Sequence, residues 1–277
     1  MTTSRTVFLP VESFPEVIAD AALQTAVRFA ALVGGRLRVT AFAVDLPQAY
    51  TPLAGIAIDM GGLVRAAEAR SAAEAARAEE VIRAAAMPGQ TIEVARRVVP
   101  AGIGAAAAVE ARYADVTVLP WAAGAAQARD LAEAVVFGAG RPVVVVPAGW
   151  TGAGLDHVAI GWDGSRVAAR ALADVLTLLP AGARITVLTV RGEKAVESGI
   201  GPAIAETLAQ AGWQADATEV PLDGRTVAEA LQDGARAAGA QMLAMGGFGH
   251  SRMRDLILGG ATQGVLADLR MPVLLSH

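Results

Sequence analysis

Two features of this sequence have the residue types and spacing to hold a phosphorylated ligand. The first is Gly246-x2-Gly249-x9-Gly259, followed at once by Gly260 and Ala261. Glycines at 246 and 249 allow backbone N–H groups to approach an anion, and Gly259–Gly260 can do so again at the start of a helix that carries Val265, Leu266 and Leu269 on one face. Unpaired amides and the helix dipole make such a terminus favourable for phosphate. The second feature is Asp163, which follows the apolar run Val158–Trp162 and can accept hydrogen bonds from ribose hydroxyls or an adenine edge. The same glycines could serve only as turns, and spacing alone leaves both readings open. Arg252 and Arg254 could reach phosphates from the loop or remain solvated, as surface arginines usually do. His250 lies in the same stretch, and nothing near it in sequence orients it as a base.

Positioning these groups requires strands that end where they begin. Short β-branched runs alternate with Ala-rich amphipathic segments along the whole chain, and the series occurs twice. Val7–Ser13 recurs as Val158–Ser165, Arg36–Val44 as Arg184–Val190, Ala114–Pro120 as Ala240–Gly246, and Arg141–Val146 as Met271–Leu275. The first copy is longer, its excess falling in Asp45–Gly62 and in an Ala/Arg/Glu helix expected over Val64–Met87, where Glu79 precedes Arg83 by one helical turn. In the second copy Ala168, Ala171, Leu172, Val175, Leu176 and Leu179 share one helical face, and Thr226 with Glu229 reads as a capping box. Continuous apolar strands separated by helices imply five parallel strands per copy with both sheet faces covered. In such a sheet a ligand binds beyond the carboxyl ends of the strands, where the strand order reverses. The expected division is residues 1–148, a Gly-rich linker over 149–155, and residues 156–277.

Composition removes several classes of function. The chain has 277 residues, 54% of them hydrophobic and 18% charged, with a net charge of -4, which excludes disorder. Mean hydropathy is +0.45, yet the longest stretch without Asp, Glu, Lys or Arg is the 15 residues Ala237–Ser251, short of a membrane span. No signal-peptide core forms before Pro10 and Glu12, so a cytoplasmic location is expected. The absence of cysteine removes thiol chemistry and Cys-ligated zinc, and His157, His250 and His277 are too scattered for a His-based metal site. Slight acidity without a Lys/Arg cluster argues against a nucleic-acid surface.

The combination of Trp162–Asp163–Gly164–Ser165, Met245–Gly246, the glycine series Gly246 to Gly259, and Pro272–Val273 resembles the universal stress protein (UspA-type) family over all of Asp156–His277, and the first copy follows the same plan from Thr6 to Pro147. The resemblance implies two tandem open five-stranded parallel α/β domains, Rossmann-like or flavodoxin-like and similar to the adenine nucleotide alpha-hydrolases. It also implies that the two last strands pair within the chain as a pseudo-dimer, and it leaves a further homodimer open. It implies an adenine nucleotide, ATP or else ADP or AMP with or without Mg, held by Asp163, Val190, Met245, Gly246, Gly249, Gly259, Gly260 and Ala261. In the family the residue after the third glycine is Ser or Thr. Here it is Gly260, so one hydroxyl is missing, and Thr262 is expected in a surface or capping role.

The first copy departs further. Pro120–Trp121–Ala122–Ala123 replaces the start of the glycine series, Arg129–Asp130 stands at the Gly–Ser position, and Glu12 replaces the aspartate. Proline lacks an amide proton and Trp121 is bulky, so this half is expected to be structural or regulatory, with Trp121 packed into the vacated cleft. The reading that results is a stress-response module that binds nucleotide and alters the affinity of an unidentified protein partner. A slow ATP hydrolase and a nucleotide-free scaffold are the alternatives. No Walker sequence, catalytic base or G-x-G-x-x-G is present to support a faster enzyme or a dinucleotide oxidoreductase.

Overall fold

The computed structural model describes residues 5–47, 59–100, 102–122, 126–192, 197–247 and 260–277. The first half runs β1 (Thr6–Glu12), α1 (Asp20–Val33), β2 (Arg36–Asp45), α2 (Met60–Ala84), β3 (Thr91–Pro100), α3 (Ile103–Ala111), β4 (Val116–Trp121), α4 (Ala126–Ala139) and β5 (Val143–Pro147). The second repeats the order with β6 (His157–Gly161), α5 (Arg166–Leu178), β7 (Arg184–Arg191), α6 (Ile200–Gln210), β8 (Gln214–Pro221), α7 (Val227–Ala237), β9 (Met242–Gly246), α8 (Gly260–Ala267) and β10 (Val273–Ser276). Leu269 falls beyond α8, and α2 begins one turn before the expected Val64.

All ten strands form one sheet in the order β3-β2-β1-β4-β5-β10-β9-β6-β7-β8. Within each half every pairing is parallel, and the halves join at an antiparallel β5–β10 seam with Val145 opposite Val273, Leu274 opposite Val144 and Leu275 opposite Val143. The expected pairing of the last strands within one chain is thereby present. Val143–Val146 and Val273–Leu275 are fully buried because helices cover both faces of the seam. One core lies between the sheet and α1, α2, α5 and α6, and the other lies under α3, α4, α7 and α8. Each core takes helices from both halves, so hydrophobic burial extends continuously across the repeat.

Local chemistry sets the helix starts. Ser165 accepts a hydrogen bond from Ala168 N to cap α5, and Thr226 and Glu229 cap α7 reciprocally. The Gly-rich connection at 149–155 is anchored: Trp150 meets Phe29 edge-on with centroids 5.3 Å apart, and Leu155 is buried. The outer strands β3 and β8 carry charges at their free edges, and the ion pairs Arg36–Glu93 (3.3 Å) and Arg184–Asp216 (2.6 Å) tie them to their neighbours. Among the described residues no helix is long and apolar enough to cross a membrane.

Candidate functional site

Strand order reverses between β6 and β9 in the second half and between β1 and β4 in the first. Both points therefore open a crevice at the carboxyl ends of the strands.

At the second-half crevice, the chain leaves β6 through Trp162, whose N–H donates to Leu188 O at 2.8 Å, and turns at Gly164 with φ of 75°. Asp163 stabilises that turn, because its Oδ1 accepts from Ser165 N at 2.9 Å. The side chain is exposed, so its second oxygen remains open to an external donor. β9 ends beside it at Gly246, which lies against the first turn of α5. A Cβ at Gly246 would stand 2.6 Å from Val167 Cγ2, 2.8 Å from the Val167 carbonyl carbon and 2.9 Å from Ala168 N. The close approach of strand to helix thus requires glycine before any ligand is considered.

The structure brings Asp163, Met245 and Gly246 to one crevice. The Met245 side chain is buried in the core, leaving its backbone for any contact. Val190 is half-buried at the end of β7 and packs against the same core. Gly260 and Ala261 open α8, where Gly260 is exposed and, among the described residues outside its own helix turn, no atom lies within 4 Å of the position a Cβ would take. Gly249 and Gly259, together with His250, Arg252 and Arg254, lie outside the described residues. Thr262 corrects the expectation of a surface role: it is only 2% exposed, with its side chain turned in beneath α8.

Sequence reasoning passed over Ser276. It ends β10 in register with Gly246, and its buried hydroxyl has no hydrogen-bond partner among the described residues. The signal available was a polar residue interrupting Val273–Leu274–Leu275 at the same sheet end as the glycines. His277 follows, with Nδ1 3.2 Å from Gly247 O and its ring edge-on to Phe137 of α4 at 4.8 Å. Chemically, the second-half crevice offers the exposed Asp163 carboxylate as an acceptor at the carboxyl ends of β6 and β9. No group of three or more His, Asp or Glu that could hold a metal occurs among the described residues.

The first-half crevice is a cavity of about 320 Å³ bounded by Pro10, Glu12, Ile18, Pro120, Gln127 and Leu131. Trp121 is buried in the core with no partner for its indole N–H among the described residues, and it does not line this cavity. The expectation that Trp121 fills the cleft is corrected accordingly: on β4 it projects into the layer shared with Leu119 and Leu131, and the cleft stays open. Glu12 is 9% exposed, and burial foremost, with Asp130 adding repulsion, raises its carboxyl to about 7 against a partial offset from the Gln127 amide.

A tandem α/β chain whose crevices lie at two switch points is the class of protein that fold and site define. The sequence pattern of the universal stress protein family matches residues 154–277, the second of the two repeats. Over nearly its whole length the chain is similar in fold to a universal stress protein from Archaeoglobus fulgidus, with 16% identity, 98% of this chain and 96% of the other covered, and a TM-score of 0.69. A Pseudomonas aeruginosa structure assigned to the universal stress proteins gives 14% identity, coverage of 99% and 93%, and a TM-score of 0.54. No curated protein matches the chain in sequence.

Proposed function

We propose that the second half binds an adenine nucleotide, ATP foremost, and that the protein acts in the stress response as a regulatory binding module. The observation that carries this reading is the meeting of Asp163 and Gly246 at the β6/β9 switch point, in the half whose glycine series leads into α8. Asp163 has one oxygen committed to its own turn and the other free for a ribose hydroxyl or adenine amino group. The α8 amides favour phosphate. Gly260 lacks the hydroxyl that a serine would offer, which lowers affinity by roughly 0.5–1.5 kcal/mol, the worth of one neutral hydrogen bond.

Isothermal titration of the full chain with ATP, ADP and AMP, each with and without Mg, tests the reading. Binding should fall at least tenfold in Asp163→Ala and Gly249→Val. No heat at millimolar nucleotide would leave a ligand-free scaffold. Phosphate release above background, lost in the same variants, would mark a hydrolase. Undiminished binding in Gly249→Val would place the nucleotide elsewhere.

A further inference from the structure

The first-half cavity has a chemistry of its own, independent of the nucleotide reading. Its wall is largely apolar, with Ile18, Leu119 and Leu131 facing the space, and its size falls within the range of small-ligand pockets of about 300–1,000 Å³. Two polar side chains converge on it. Gln127 is fixed, because its Oε1 accepts from Glu16 N at 3.1 Å and its Nε2 donates to Phe14 O at 2.8 Å. Glu12 is held from behind: the neighbouring Ser13 hydroxyl donates to Phe42 O at 2.8 Å and lies 2.7 Å from the buried Ser71 hydroxyl of α2. The Glu12 carboxyl, hydrogen-bonded by the Gln127 side chain, lines an otherwise largely apolar cavity.

Among the described residues acids outnumber bases around the cavity, and the one cation of α2 that reaches its wall, Arg77, donates to Ile18 O at 2.8 Å and is paired with Asp20 and Glu74. Glu16 lines it beside Glu12, Asp130 of α4 acts on Glu12 through space, and Glu133 one turn further along α4 is itself raised by burial and by Asp130, with Arg129 as its partial counterweight. From α2, Glu68 accepts from Leu46 N at 3.0 Å beyond the end of β2, and β4 carries no titratable side chain. Phosphate finds carboxylates here and, at Pro120, a residue with no N–H. A cation finds the opposite: a carboxylate whose charge is disfavoured by burial and by neighbouring acids, and whose ionised form an ammonium group would stabilise.

We propose that the first half of the chain binds a small organic amine in this cavity, its ammonium group on the Glu12 carboxylate and its hydrocarbon body against Ile18, Leu119 and Leu131. The site is thus converted from the anion chemistry of the other half. Because the Glu12 carboxyl titrates at about 7, binding of the ammonium expels a proton from the site under mildly acidic conditions. Affinity rises as pH rises through that value.

Titration of the full chain with butylamine and phenethylamine, against 2-phenylethanol and phenylacetate as neutral and anionic isosteres, tests the proposal by calorimetry. The amines should bind, and about tenfold more tightly at about pH 8 than at about pH 6, as expected for a carboxyl titrating midway between. Glu12→Gln, a change that burial tolerates because the neutral form is the favoured one, should weaken binding at least tenfold and remove the pH dependence. Should that variant fail to fold, Leu131→Trp, which fills the space, should block binding equally. Asp163→Ala should leave the amine titration unchanged. The proposal is overturned if neither amine binds at millimolar concentration, if the alcohol or phenylacetate binds as well as phenethylamine, or if affinity is the same at both pH values.

Discussion

Gly246 at the second-half crevice and Gly260 at the start of α8 serve different physical ends. Gly246 is closed to any side chain by the Val167 backbone, so Gly246→Ala should lose roughly 1–3 kcal/mol in urea unfolding with no ligand present, the usual penalty of overpacking. Gly260 at the start of α8 is exposed and meets none of the described side chains, and Gly260→Ser should leave the unfolding free energy within about 0.5 kcal/mol of wild type. If nucleotide phosphates lie at the α8 terminus, the same substitution should tighten binding by about two- to tenfold in calorimetry. Glu12 makes stability depend on pH. Its folded-state value of about 7 lies above the ordinary 4.5, so the native state holds a proton that the unfolded chain releases, and stability falls as pH rises from 4.5 through about 7. The total loss is roughly 3 kcal/mol. Glu12→Gln should therefore match wild type at about pH 5 and exceed it at about pH 8 in thermal or urea melts, the difference being the titration of this one carboxyl.

At the level of elements, α7 holds the turn that leads into β10, at the amino ends of the strands and away from the crevice. Gln232 is 1% exposed, donates to Asp268 O at 2.8 Å and accepts from Arg270 N at 2.9 Å, clamping the residues between α8 and the last strand. Gln232→Leu would keep the volume but leave a carbonyl and an amide without partners. A loss of about 1–3 kcal/mol is expected, with faster hydrogen exchange concentrated at Asp268–Arg270. The helices themselves were legible because their signals are local: the Thr226–Glu229 box, the Ser165 cap, the apolar face of α5 and the Glu79–Arg83 pair at 2.9 Å all act within one or two turns. Gln232 was not legible, since its partners stand 36 and 38 positions away, and neither was Ser71, which reaches Ser13 and Val44 N across the fold. The first-half cavity escaped notice for the same reason. Pro120 and Trp121 argue locally against a phosphate loop, but only the three-dimensional packing shows that Trp121 is buried in the core beyond Leu119 and does not line the cavity beside Glu12.

On the scale of the molecule, the repeat made the sheet legible, since four apolar strands per copy in matching order leave little choice but parallel halves, with the polar edge strands β3 and β8 added outside them. What the pattern could not show is how far the halves share structure. α4 lines the first-half cavity with Gln127 and Leu131, and at its other end places Val136 3.4 Å from where a Gly247 Cβ would stand and Phe137 against His277. The seam is the other shared element. On one side of β10 its Val273, Leu274 and Leu275 pair with β9, and on the other they pair with β5 of the first half. Residues 154–277 produced alone would present that second side as an apolar, unpaired edge. A second copy can satisfy it by the same antiparallel register, because two identical β10 edges related by a twofold axis meet as β10 now meets β5. The isolated half should accordingly sediment at twice its chain mass, and Leu274→Lys, which places a charge in the middle of the buried seam, should abolish the dimer. A fragment that is folded and monomeric without that substitution would show that the covering helices, and not the strand edge, hold the two halves of the full chain together.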